Sequence, residues 1–204
     1  MPENLLYYGD NLSILRSPAF PSDFVDLIYL DPPFNSNATY NVLFAERNGS
    51  RAAAQIKAFE DTWHWDDVAA ATYHQTVQAG GHVADALVAF LKLLGENDMM
   101  AYLTMMAPRL VELRRVLKPT GSIYLHCDST ASHYLKVLMD AIFGPQQFRN
   151  EIVWKRTSAH SDPGRYGANI DTLLFYSRSD TWTWNQVYAT HYESLLSTFR
   201  VYTQ

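Results

Sequence analysis

The feature that most constrains the fold of this chain is an apolar run that ends abruptly in an acid and two prolines. Residues 24–30 are apolar at every position except Asp26, and Asp31, Pro32 and Pro33 follow directly. An apolar run of this length is typical of a strand covered on both faces in a parallel sheet. Proline has no N–H to donate to a strand ladder, so the strand is predicted to end at Asp31.

This position gives Asp31 a candidate chemical role. In an open α/β sheet, ligands bind in the crevice beyond the carboxyl ends of the strands. Asp31 is therefore expected at such a crevice, with Phe34 one short turn away. A carboxylate accepts hydrogen bonds, and an aromatic ring offers a face on which a base can stack. A simple strand-ending turn with a capping acid would use the same residues, so the motif alone leaves both interpretations open.

Asp31-Pro32-Pro33-Phe34 resembles the D-P-P-[YF] signature of the amino-methyltransferases, which methylate the exocyclic nitrogen of a base with S-adenosylmethionine. The resemblance extends from residue 4 to about residue 185, in the order found in site-specific DNA adenine methyltransferases of bacteria and phages. Five further segments carry it: LLYYGDNL at 5–12, FEDTWHW at 59–65, LKPTGSIYLHCD at 117–128, NEIVWKR at 150–156 and DTLLFY at 171–176.

The resemblance implies a role for each residue of the motif. An exocyclic amino group is a poor nucleophile because its lone pair is delocalised, and two hydrogen-bond acceptors favour a geometry that frees it. Asp31 would be one acceptor and the carbonyl of Pro32 the other, with Pro33 restraining the turn and Phe34 stacking on an extruded base. Aspartate at the first position favours adenine, because enzymes acting on cytosine N4 more often have serine there.

The resemblance also implies a cofactor site. Asp31 and Asp10 are expected to approach S-adenosylmethionine, Asp10 near its adenosine part. Asp10 also precedes a short helical pattern at residues 11–16, where an aspartate is a good N-cap, and the two roles are compatible.

A glycine-rich cofactor turn is missing from the sequence. Methyltransferases of this fold hold the cofactor against such a turn between a strand and a helix. The nine glycines lie at 9, 49, 80, 81, 95, 121, 144, 164 and 167, so the pattern G-x-G does not occur. Relatives with the D-P-P-[YF] motif first carry the turn far downstream. We therefore expect this chain to be the front, catalytic portion of a longer enzyme, with hardly any cofactor binding on its own.

The expected fold is α/β, an incomplete doubly wound methyltransferase-type (Rossmann-like) sheet. Residues 1–180 are expected to be the catalytic part, and 181–204 the start of a target-recognition region or a truncated tail. Without the strands that carry the cofactor motifs, residues 5–8 should lose their neighbour and be frayed or repositioned. The exposed flank of residues 24–30 should then make the isolated chain prone to association.

Periodicity and turn residues predict the individual elements. Residues 66–94 fit two helices, or one helix and an insertion, because Gly80 and Gly81 interrupt the pattern. The strands are predicted at 5–8, 24–30, 122–127, 151–155 and 172–177, and the remaining helices at 11–16, 98–117 and 131–143.

Charge indicates where DNA would be contacted. The net charge of −5 argues against a freestanding nucleic-acid binder, but basic residues concentrate between 149 and 178. Within this region Arg156, Arg165 and Tyr166 are the candidates for DNA contact, and a solvated loop is the alternative. The predicted partners are DNA, a cognate restriction enzyme, and either a second copy or a chain that supplies the missing motifs.

Other classes of protein fit less well. No apolar run approaches the roughly 20 residues of a membrane span, no signal-peptide pattern is present, and a single cysteine fits a reducing cytoplasm. His126, Cys127, Asp128 and His133 lack the paired spacing of a zinc site, so no metal is expected. The end of the strand predicted at 122–127 is instead expected to bring His126 and Asp128 near the crevice, where they would line the pocket. A histidine precedes Cys127, whereas cytosine-C5 methyltransferases resemble one another through a Pro-Cys pair.

Three alternatives to adenine-N6 methylation of DNA stay open at the level of the sequence. The first is methylation of cytosine N4 in DNA. The second is methylation of RNA or of a protein amide, because related motifs act on those planar nitrogens. The third is a non-catalytic fragment that binds nucleic acid and needs a partner chain.

Overall fold

The structure is a computed structural model that describes residues 4–32, 63–156, 161–162, 164–167 and 169–186. Its elements follow in the order α1 Asn11–Leu15, β1 Val25–Leu30, α2 Asp67–Gln78, α3 Gly81–Leu94, α4 Asp98–Val116, β2 Leu117–Cys127, α5 Ser132–Phe143, β3 Phe148–Lys155, β4 Ser161–Asp162, β5 Arg165–Tyr166 and β6 Ile170–Ser177. A single 3-10 turn, Pro145–Gln147, joins α5 to β3. The predicted α/β class is confirmed.

The main sheet has four strands in the order β1-β2-β6-β3. β1 runs parallel to β2, whereas β6 is antiparallel to both β2 and β3. The parallel pair places Leu30 opposite Leu125, so β1 and β2 end at the same edge of the sheet. The last pairs of β2 with β6 are His126 with Leu173 and Cys127 with Thr172. The carboxyl ends of β1 and β2 therefore meet the beginning of β6.

Helices cover one face of this sheet. Ile123, Leu125 and Cys127 alternate along β2 and are fully buried in one cluster with side chains of α3, α4 and α5. α4 contributes many buried side chains to this core. The helix is capped by Asn97, whose side chain accepts a hydrogen bond from the backbone N–H of Met100 at 2.9 Å. The core that fixes β2 is therefore built from helices that precede it and follow it in the chain.

The structure confirms most of the predicted helices and strands but moves the bounds of several of them. Two helices form within 66–94, as one of the alternatives stated, and the α5 and β6 predictions are confirmed with small shifts at their ends. The helix expected at 98–117 ends at Val116, and β2 follows at once, so the strand begins five residues earlier than predicted. β3 likewise begins at Phe148 rather than at 151.

The expectations for the amino-terminal strands need correction. Residues 5–8 form no strand, and Leu6 and Tyr8 lie almost entirely in solvent, which agrees with the expected fraying. β1 is not covered on both faces, because Leu27 and Tyr29 are both more than half exposed. β1 is also an edge strand with β2 as its one partner in the sheet as described. The apolar composition of β1 predicted more cover by neighbouring elements than the described residues provide.

Candidate functional site

Asp31 lies directly beyond the last paired residue of β1, as the two prolines predicted. Leu30 is opposite Leu125 in the parallel ladder, so Asp31 comes level with His126 on β2. Its side chain is 58% exposed, whereas that of His126 is 16% exposed. An open carboxylate thus stands beside a largely buried imidazole at the carboxyl edge of two parallel strands, where ligands are expected in such sheets.

His126 contacts acidic and phenolic groups through both ring nitrogens. Its Nδ1 lies 3.3 Å from Oδ1 of Asp31 and 3.1 Å from the hydroxyl of Tyr29. Its Nε2 lies 3.2 Å from Oδ2 of Asp171, the second residue of β6. Asp31 and Asp171 come from opposite neighbours of β2, so the imidazole joins three strands at one edge of the sheet.

Asp171 in turn carries a basic partner. Its side chain is almost fully buried, and its second oxygen, Oδ1, lies 3.6 Å from Nη1 of Arg156. The backbone N–H of Arg156 donates to the carbonyl of Asn169 at 2.8 Å, which anchors the residue just past the end of β3. The resulting row, Asp31–His126–Asp171–Arg156, alternates acidic and basic groups along the sheet edge. We refer to it as the edge row.

Tyr29 is the other member of this edge. Burial raises the pKa of its phenol, and the nearby carboxylates of Asp31 and Asp171 raise it further, because a second negative charge is disfavoured there. The hydroxyl therefore keeps its proton at neutral pH. Its ring is more than half exposed and lies 6.3 Å from the imidazole, centroid to centroid.

The rest of the predicted motif is only partly within the described residues. Pro32 is buried directly after Asp31. Pro33 and Phe34 lie outside the described residues, so the predicted turn and stacking face stay predictions.

Asp10 lies away from the edge row and is engaged with protein groups. Its side chain caps α1 by accepting hydrogen bonds from the N–H and hydroxyl of Ser13, at 3.1 and 2.9 Å. Arg109 of α4 donates to its other oxygen at 2.5 Å. Partial burial raises the pKa of Asp10, but the hydrogen bonds and the charge of Arg109 outweigh it and leave the pKa below its usual value. The capping role is thus seen directly.

The predicted DNA-contacting residues lie on two parts of the chain, the end of β3 and the β4–β5 hairpin. Arg156 belongs to the edge row, half exposed beside Asp171. Tyr166 is fully exposed in the short β4–β5 hairpin, which pairs Ser161 with Tyr166. The backbone of Arg165 lies in the same hairpin. Through its contact with Asp171, Arg156 lies at the same edge of the sheet as Asp31.

The structure also bears on two other possibilities, a nucleophilic cysteine at position 127 and a metal site. Burial raises the pKa of the Cys127 thiol to about 12, and the nearby carboxylates act in the same direction, so it is not a ready nucleophile. Asp128 accepts hydrogen bonds from the N–H groups of Thr130 and Ala131 ahead of α5. Among the described residues, no group of three acidic, histidine or cysteine side chains is arranged to hold a metal ion.

Sequence reasoning missed Tyr29 and Asp171. Asp171 stands at the start of an otherwise apolar strand, and an acid at a strand end is the signal that identified Asp31. Tyr29 gives no such signal, because an aromatic residue is ordinary in a strand. In the part of the chain that the structure describes, no helix is both long and apolar enough to cross a membrane.

Comparison with known proteins identifies relatives over most of the chain. A family model described as DNA methylase, covering N6 and N4 methyltransferases, matches residues 25–197. The Mod subunit of the type III restriction-modification enzyme StyLTI of Salmonella typhimurium is 31% identical over 86% of this chain and 24% of its own length. The EcoP15I Mod subunit of Escherichia coli is 24% identical over 87% of this chain, again with 24% of its length covered.

Two further relatives are a type II enzyme and a solved structure. The type II methyltransferase M.KpnI of Klebsiella pneumoniae is 26% identical over 86% of this chain and 32% of its own length. The PvuII DNA methyltransferase (cytosine-N4-specific) superposes with a TM-score of 0.41 at 15% identity, covering 94% of this chain and 61% of that structure. The chain thus spans about a quarter to a third of the length of these sequence relatives.

Proposed function

Because this chain belongs to the DNA methylase family of N6 and N4 methyltransferases, we propose that it forms the catalytic front portion of an enzyme that methylates the N6 amino group of adenine in DNA. The observation that carries the proposal is the open carboxylate of Asp31 at the carboxyl edge of β1, inside the D-P-P-F motif. Methylation of cytosine N4 is the second candidate, because the family includes such enzymes.

Asp31 is proposed to act on the amino group of the base. Transfer of a methyl group from a sulfonium donor would break the sulfur–carbon bond of the donor, form a nitrogen–carbon bond and make the nitrogen cationic. One N–H proton must then leave. The Asp31 carboxylate accepts a hydrogen bond from the amino group before transfer and receives this proton afterwards. The Pro32 carbonyl is the proposed second acceptor, and Phe34 the proposed stacking face for a base taken out of the duplex.

S-adenosylmethionine is the proposed methyl donor, and the described residues fit it incompletely. The Asp31 carboxylate is open, but Asp10 is already engaged by Ser13 and Arg109. The sequence contains no G-x-G turn for close approach of a cofactor to the backbone. The donor site is therefore proposed to be completed by protein beyond the described residues.

The remaining assignments follow from the same proposal. Arg156, Arg165 and Tyr166 are proposed DNA contacts, and the restriction-modification relatives suggest a cognate restriction enzyme as partner. Residues 1–180 are proposed as the catalytic part and 181–204 as the start of a target-recognition region or a tail. The proposed location is the cytoplasm, where the DNA substrate of bacterial enzymes lies.

The proposal is tested with labelled S-adenosylmethionine and adenine-containing duplex DNA. The assay uses the chain alone and a chimera in which the chain replaces the matching quarter of the StyLTI Mod subunit. Label on adenine N6 supports the proposal, and label on cytosine N4 supports the second candidate. A folded chimera that binds the cofactor and labels neither base overturns both.

Substitution of the acid identifies the site. Asp31→Asn, made in whichever of the chain and the chimera transfers methyl groups, should lower methyl transfer by roughly 100-fold or more, because the amide cannot receive the proton. The matched control is Asp26→Asn on the same strand, where the carboxylate is exposed and pairs with Lys118. Equal loss in both variants would argue against Asp31 as the catalytic acid–base group.

A further inference from the structure

His126 connects the proposed catalytic carboxylate to the interior of the fold. One ring nitrogen lies 3.3 Å from Asp31 and the other 3.2 Å from Asp171. A carboxylate can only accept hydrogen bonds, so each of these contacts is favourable when the facing ring nitrogen carries a proton.

The two partners of this contact differ in how firmly the fold holds them. His126 lies on β2, which is paired on both sides, with Leu125 opposite Leu30 and His126 itself opposite Leu173. Asp31 lies one residue beyond the paired part of an edge strand, with more than half of its side chain in solvent. A carboxylate in such a place samples several rotamers unless a donor restrains it.

Asp171 and Arg156 orient the imidazole. Asp171 is buried and accepts at Nε2, which places a proton on that nitrogen and fixes the ring plane. Arg156 lies on the other oxygen of Asp171 and balances its charge. With the ring fixed in this way, Nδ1 points at Asp31 and at the hydroxyl of Tyr29.

We propose that His126 is a positioning residue, which donates from Nδ1 to Asp31 and from Nε2 to Asp171, and so holds the Asp31 carboxylate in the orientation that receives the amino group. The consequence for methyl transfer rests on the proposed function above. The contact itself does not, because it is a property of the folded chain. The opposite arrangement has a bare Nδ1 that accepts from Tyr29, and it would leave Asp31 without this restraint.

The contact is tested by nitrogen-15 NMR of the histidine side chains in the full chain. We expect the Nδ1 proton of His126 to show a hydrogen bond to one carboxylate and the Nε2 proton a hydrogen bond to another. Asp31→Asn should shift the Nδ1 resonance and Asp171→Asn the Nε2 resonance. His82, which is almost fully exposed on α3, is the reference histidine and should respond to neither substitution. A lone pair on Nδ1, or an Nδ1 resonance unmoved by Asp31→Asn, overturns the proposal.

The consequence for catalysis is tested by pairs of substitutions in the active form. His126→Ala should lower kcat by roughly 10- to 100-fold with little change in KM for DNA, the size expected for one charge-assisted hydrogen bond. His126→Asn places an amide donor near the position of Nδ1 and should recover most of that loss, whereas His126→Phe should not. An unchanged kcat in His126→Ala, or no recovery with asparagine, overturns the positioning role.

The NMR and kinetic measurements distinguish failure of the proposed function from failure of the His126–Asp31 contact. Absence of methyl transfer in the parent protein counts against the proposed function alone, because the NMR result still decides whether His126 holds Asp31. Conversely, strong methyl transfer with a bare Nδ1 keeps the proposed function and removes the role of His126.

Discussion

The amino-terminal segment, residues 4–30, and the central unit of α4, β2 and α5 are held in the fold by different forces. The central unit buries long apolar side chains, and Leu103, Leu110, Leu125 and Leu135 are fully inaccessible to solvent. In the amino-terminal segment Leu15 is the one buried side chain among the described residues. Phe20, Val25, Ile28 and Leu30 pack against the core only partly buried, and the segment is held further by its ladder to β2 and by polar contacts.

Arginines of α4 make most of those polar contacts. Arg115 donates to the carbonyls of Leu15 and Phe20, at 2.7 and 3.1 Å, and Arg109 donates to Asp10 and Asn11. The hydrophobic effect is non-directional, whereas an arginine fork contacts defined atoms. The comparison indicates that the core unit provides stability, while the segment that presents Asp31 is fixed in position by a few directional bonds.

The largest expected effect comes from opening the core. Leu125→Ala should lower the free energy of unfolding by about 2–5 kcal/mol, because it removes a fully buried side chain and leaves a cavity. Chemical denaturation measures the change. Leu27→Ala on the neighbouring strand is the matched control, and its more than half exposed side chain should cost about 0.5 kcal/mol or less. Similar losses in both variants would contradict the contrast between β1 and β2.

Loss of the Arg115 fork should loosen the amino-terminal segment specifically. Arg115→Gln should cost about 1–3 kcal/mol, because the carbonyls of Leu15 and Phe20 lose their donor. Hydrogen exchange should rise in residues 11–24 and stay unchanged in α5. Arg114→Gln, at the exposed neighbouring position, is the control. Uniform acceleration across the chain would show that the fork supports the core rather than the segment.

The exposed edge of β1 should promote association. We expect the apparent mass of the chain to rise with concentration in sedimentation experiments, because among the described residues β1 pairs with β2 alone and Leu27 is exposed. Leu27→Lys should reduce this association. Val137→Lys adds the same charge at a half-exposed position of α5 and should leave it unchanged. A parent chain that stays monomeric at all concentrations would remove this expectation.

The smallest effect is the acid sensitivity of the Asp10 cap. Its pKa lies below the 3.8 of an unperturbed aspartate, so its stabilising effect is complete above 3.8 and is lost as the pH falls through the lower, folded-state value. Asp10→Asn retains a cap acceptor but cannot titrate, and it should flatten this part of the stability profile. The difference at neutral pH should be at most about 1 kcal/mol in urea unfolding. Identical profiles would show that Asp10 is not linked to folding.

For β1, the strand that carries Asp31, the end of the strand could be predicted from the sequence but its exposure could not. Two prolines determine where β1 ends, and this is a local property of the chain. The exposure of β1 is not local, because it depends on whether another element packs against it. Its apolar composition therefore predicted two covered faces, whereas the structure shows Leu27 and Tyr29 more than half exposed.

The edge row could not be predicted from the sequence, because it also depends on how distant elements pack together. His126 was expected near the crevice as a pocket-lining residue, but its partner Asp171 was not predicted, because it lies 45 residues further along the chain. Their contact arises because β6 runs antiparallel to β2 and places its first residues at the end of β2. No periodicity within either strand contains that register.

The sequence by itself determined the family, the α/β class, the acid at the end of β1 and the cap at Asp10, because motifs, periodicity and proline act over a few neighbouring residues. The tertiary structure decided that β1 is an open edge strand, that α4 arginines hold the amino-terminal segment, and that His126 stands between Asp31 and Asp171. These features depend on strand order and register, which arise from the packing of residues far apart in the chain.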